Sequence, residues 1–100
     1  MLKVTIIENP TEQRLVLEGR LTEPDISELD SAWEKVCEAR GTRRCIVDLR
    51  GATFMDQSGE RILLRMMREG AQFIAGGVST THRLDELRIK YQGSAPKPRG

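Results

Sequence analysis

Four residues in a row, Asp56, Gln57, Ser58 and Gly59, bring an acid, an amide, a hydroxyl and a glycine to one corner of the chain. They follow the apolar run Cys45-Ile46-Val47-Asp48-Leu49 and precede a helical pattern. A helix start carries free backbone N–H groups that favour acceptors, so Asp56 is the expected cap and Ser58 a helix-start hydrogen-bonding residue. Gly59, with no Cβ, allows another backbone to come close. Ser58, His82 and an Asp could be drawn as a hydrolytic triad. The Gly-x-Ser-x-Gly elbow is absent, however, and catalysis is not expected.

Other reactive types are weaker. Gly76-Gly77-Val78-Ser79-Thr80 lacks the spacing of a P-loop or a dinucleotide fingerprint and reads as a turn with a helix cap. Cys37 and Cys45 fit neither a redox pair nor a zinc framework and read as two buried thiols. His82 is the single histidine, which rules out a His-rich metal site; no cofactor is expected. Arg61, Arg65 and Arg68 are spaced to share one helix face, either a solvated face or a docking face for an acidic partner.

The elements that must hold this corner follow from patterning. Lys3–Ile7 and Arg14–Glu18 read as an antiparallel hairpin across the turn Asn9-Pro10-Thr11-Glu12, ended by Gly19. A first helix is expected with Thr22 as N-cap, Pro24 in its first turn and a core stripe of Ile26, Leu29, Trp33, Val36 and Cys37. Gly41 follows as its stop. Residues 45–49 form a central strand, and 51–55 a loop leading to Asp56. A second helix over about 58–69 buries Ile62, Leu63, Met66 and Met67, and Gly70 stops it. Ala71–Ala75 is the last strand. Ser79 or Thr80 caps a third helix carrying Leu84 and Leu87. The order is β-β-α-β-α-β-α: an α/β domain with a mixed four-stranded sheet, room for a fifth strand, and about three helices mainly on one side. Residues 1–91 form one domain, and 92–100 a disordered tail.

Bulk composition agrees. The chain has 100 residues, 38% hydrophobic and 31% charged, with a formal net charge of +1. That is one soluble domain without the basic excess of a nucleic-acid binder. No apolar run is long enough for a membrane-spanning helix. The N-terminal residues lack the features of a signal peptide, so a cytoplasmic location is expected.

Val47-Asp48-Leu49 followed by Phe54-Met55-Asp56-Gln57-Ser58-Gly59 resembles the signature of the STAS family, the bacterial anti-sigma factor antagonists. Leu17-Glu18-Gly19-Arg20-Leu21 is similar to the family's Gly-x-Leu segment before the first helix. The resemblance spans about residues 3–90. It implies a STAS-type fold and a protein-binding role in transcription regulation or signalling, with no enzymatic activity. The partner would be a kinase-like anti-sigma factor, contacted by Asp56, Gln57, Ser58 and Gly59, with Thr22, Arg61 and Arg65 at the rim. In that family the kinase phosphorylates the hydroxyl residue directly after the Asp. A phosphate adds about −1.5 to −2 charge and would break an interface beside Asp56. Gln57 stands at that position and cannot accept phosphate. Ser58, one residue later and about 100° around the helix, is the remaining candidate phosphoacceptor. Thr22 likewise replaces the family's Asp before the first helix. The resemblance leaves two alternatives open: an accessory subunit on the ATPase of an ABC-type lipid transporter, or a signalling-complex module without a phosphoswitch. Monomer and weak dimer are both compatible with it.

Overall fold

In the computed structural model, residues 1–76 and 82–89 are described. Strands β1 (Leu2–Glu8), β2 (Glu12–Leu21), β3 (Arg44–Met55) and β4 (Gln72–Ile74) alternate with helices α1 (Ile26–Glu38) and α2 (Gln57–Arg68). A third helix, α3, covers 82–89. The expected Ser79 or Thr80 cap and the 92–100 tail lie outside the described residues.

The hairpin turn is built by Asn9. Its side-chain oxygen accepts from the Thr11 and Glu12 N–H groups at 2.9 Å each, fixing the chain reversal. β1 and β2 then pair antiparallel, with Val4 opposite Leu17 and Ile6 opposite Leu15. β2, β3 and β4 are parallel, and the sheet order is β1-β2-β3-β4. Right-handed crossovers through strands taken in this sequential order place α1 and α2 on the same face. Their buried stripes, Ile26, Leu29, Trp33 and Val36 on α1 and Ile62, Leu63 and Met66 on α2, cover Leu15, Leu17, Leu21, Val47 and Leu49. Leu84 and Leu87 of α3 join this core. The alternate side chains of the sheet, among them Thr5, Arg14, Val16, Ile46 and Asp48, point to a face that neither α1 nor α2 covers.

Several boundaries differ from the sequence expectation. Gly19 does not end β2. It sits at φ +102°, where a Cβ would collide with the Met1 carbonyl oxygen, and the strand passes through register shifts to Leu21. The expected loop 51–55 is strand, because this extension of β2 gives it a partner: Arg20 pairs with Phe54 and Leu21 with Met55. Thr22 is not the N-cap of α1. The longer β2 moves the turn downstream, and Asp25 takes the cap position. The Asp25 carboxylate makes no cap bond and instead accepts from the Leu2 N–H at 3.0 Å. Cys45 is buried, as expected, but Cys37 is only partly so.

Candidate protein-docking site

β3 delivers the site. Met55 is buried, and Asp56 follows in an extended conformation, its N–H donating to the Leu21 carbonyl at 3.2 Å. The ends of β2 and β3 are thereby tied together. The Asp56 carboxylate accepts from the Gly59 N–H at 2.9 Å, and its carbonyl accepts from the Glu60 N–H at 3.0 Å. Asp56 is thus a true N-cap, and its charge lies at the positive end of the α2 dipole.

Gly59 is buried. A Cβ there would collide with the Leu21 carbonyl oxygen and lie 3.0 Å from the Cβ atoms of Leu21 and Met55. The close approach expected of Gly59 is therefore to this chain's own β2. It seats α2 against the carboxyl ends of the central strands β2 and β3. The exposed part of the corner is Gln57, with Ser58 half-buried beside it.

Ser58 opens onto a groove of about 280 Å³ between the N-terminal halves of α1 and α2. Glu23, Ser27, Asp30, Arg61 and Arg65 also line it. The structure thus brings Ser58, Arg61 and Arg65 to one groove. Gln57 lies on the other side of the helix start, in a smaller groove of about 220 Å³ with Glu60, Leu64 and Leu87. Arg61 lines both. Thr22 lines neither groove, although its neighbour Glu23 does.

The two arginines differ in what they do. Arg65 forms ion pairs with Asp30, with Glu34 at 3.3 Å and with Glu69 at 3.4 Å. Glu69 in turn accepts a hydrogen bond from the indole of buried Trp33. The Trp33 hydrogen bond, with Arg65 beside it, holds the Glu69 carboxyl below the usual carboxylate range. Arg65 is therefore a strut between α1 and α2. Arg61 is exposed, and among the described residues no carboxylate pairs with it. On the α3 side, Arg83 pairs with Glu60 and reaches the Met55 carbonyl at 3.4 Å, which braces the corner from behind.

His82 is exposed and faces Glu86 at 3.9 Å, and no hydrogen bond among the described residues joins it to Ser58. No group of three or more His, Cys, Asp or Glu among the described residues is arranged to hold a metal ion. No helix among them is long and apolar enough to cross a membrane.

Two features were not singled out from the sequence. Asp48 is buried on the sheet face that neither α1 nor α2 covers, where Arg50 clamps it with bonds of 3.0 and 2.7 Å. Those bonds from Arg50 hold its carboxyl below the usual range. Phe54 is half-exposed, with the Arg20 guanidinium 5.1 Å from its ring centroid. The Arg20–Phe54 pair depends on 51–55 being strand, whereas Asp48 and Arg50 are two residues apart on β3 before it.

Among solved structures, the chain is similar to the anti-sigma factor antagonist SpoIIAA in its unphosphorylated form. The TM-score is 0.55 at 15% identity, over 88% of this chain and 98% of that one. The chain has the SpoIIAA-like, STAS-type fold. A DUF3478-family protein from Shewanella loihica PV-4, described as having a SpoIIAA-like fold, aligns at TM-score 0.53 and 14% identity, over 92% of this chain and 77% of that one. Mglu aligns at TM-score 0.51 and 15% identity, over 73% of this chain but only 19% of that much longer one. No protein-family profile and no curated protein sequence matches. At these identities the likeness carries the STAS-type fold and not a shared partner.

Proposed function

We propose that this STAS-type domain is a non-enzymatic, protein-binding regulator of the anti-sigma factor antagonist kind. Its contact surface is the start of α2. The observation that carries this reading is the corner itself. Asp56 and Gly59 are spent on building a rigid helix start, whereas Gln57 and Ser58 face outward on it beside Arg61, whose charge no described carboxylate neutralises. A rigid surface loses little conformational entropy on binding. Arg65 fixes the groove wall, and Arg61 supplies the charge a partner would meet.

Gln57 makes this surface binding-competent without a phosphate cycle at that position. Ser58 retains a hydroxyl, but its groove already holds the carboxylates of Glu23 and Asp30. A phosphate there meets like charge, with Arg61 as its counterion. Gln57 equally suits a partner that is not a kinase, such as the ATPase of a lipid transporter.

The test is binding of the purified chain to kinase-type anti-sigma factors of the organism that encodes it, and to transporter ATPases from the same source. Saturable binding to an anti-sigma factor that Ser58→Glu weakens supports the reading. Binding to an ATPase alone selects the second reading. Binding that ignores Asp56→Lys and Ser58→Glu sinks the assignment of this surface. Mass spectrometry after incubation with the kinase and ATP shows whether Ser58 takes phosphate.

A further inference from the structure

Phe54 is an aromatic side chain the core does not use. It is 52% exposed, on a strand whose neighbours Ala52 and Met55 pack inward. Arg20 pairs with Phe54 next to the buried pair Leu21 and Met55; after the register shift that follows Ala52, alternation with Met55 sends Phe54 and Arg20 to the face that neither α1 nor α2 covers, at the carboxyl end of the parallel strands. Asp56 follows Phe54 by two residues, which makes this patch continuous with the α2 corner.

The charges around it are unequal in their commitments. Arg50 is held by Asp48, and Arg83 by Glu60. Arg20 rests over the Phe54 ring, and no carboxylate among the described residues pairs with it. A guanidinium on an aromatic face is still free to donate its in-plane N–H groups. Aromatic and arginine side chains are the types that dominate protein interfaces when covered.

We propose that Phe54 and Arg20 form a second contact element of the docking surface. It fits a protein partner that presents an apolar side chain next to a carboxylate. The apolar group covers the exposed part of the ring, and the carboxylate takes the Arg20 guanidinium. This rests on the docking reading of the corner and extends it onto the carboxyl ends of β2 and β3.

The test titrates the isotope-labelled full chain with two synthetic peptides, one alternating Leu and Glu, the other Leu and Lys, followed by NMR. The Glu peptide is expected to shift the resonances of Phe54 and Arg20. The shifts are lost in Phe54→Ala and Arg20→Glu, and the otherwise parent-like spectrum of each variant shows that it is folded. No shift with either peptide, equal shifts with both, or shifts that survive Phe54→Ala overturn the proposal. The titration needs no anti-sigma factor. A negative result with both the anti-sigma factors and the transporter ATPases therefore removes the reading of the corner, while the peptides alone decide the Phe54 element.

Discussion

Asp56 and Gly59 do different work from Gln57 and Ser58, and substitutions separate the two roles. Asp56→Ala removes the carboxylate that caps the Gly59 N–H and costs about 1 kcal/mol of stability, read as a lowered midpoint in urea. Gly59→Ala forces a methyl group against the Leu21 carbonyl and the Met55 side chain, and it lowers the midpoint, whereas Gly→Ala at an open helix position would raise it. Gln57→Ala removes an exposed side chain and leaves the midpoint within about 0.5 kcal/mol of the parent. The cap was legible in the sequence, because an Asp three residues before a backbone N–H at a helix start has a fixed geometric meaning. That Gly59 serves this chain's own β2 was not. The carbonyl it must avoid belongs to Leu21, a contact made only in the folded sheet.

Among the elements, α1 and α2 are joined by the chain Trp33, Glu69, Arg65, Asp30 and Glu34. Glu69 has a folded-state pKa below its unfolded value, chiefly through the Trp33 hydrogen bond. Its contribution is present above the ordinary carboxylate pKa and is lost as pH falls through the depressed one. Glu69→Gln is therefore less stable than the parent at neutral pH, and the gap narrows on acidification. Urea midpoints of both proteins across that range, followed by Trp33 fluorescence, measure it; a gap that is constant with pH would contradict the assignment. The helical stripes were readable from their three- and four-residue steps, and the buried residues follow them. The start of α1 was misread because Thr22 and Pro24 imitate a capped first turn. Tertiary pairing of the β2 extension with β3 displaced the cap to Asp25. Phe54 and Arg20 escaped for the same reason: their contact depends on register between distant segments, to which local pattern is blind.

At the scale of the whole molecule, sequential parallel strands leave one sheet face outside α1 and α2, and the carboxyl ends of β2 and β3 bring the α2 corner to the edge of that face. The mixed sheet and the element order were legible because each crossover helix carries one apolar stripe, which must cover the sheet beside it. The partner was not legible, since recognition rests on exposed residues that the core leaves unconstrained. The most direct measurement is calorimetric affinity of the purified chain for a kinase-type anti-sigma factor, comparing Gln57→Arg and Ser58→Glu with Lys35→Glu on the exposed back of α1. The docking account predicts that the two corner variants, with unchanged midpoints in urea, bind at least about tenfold more weakly, ~1.4 kcal/mol, while Lys35→Glu binds as the parent does. Equal affinity for all four proteins would contradict it.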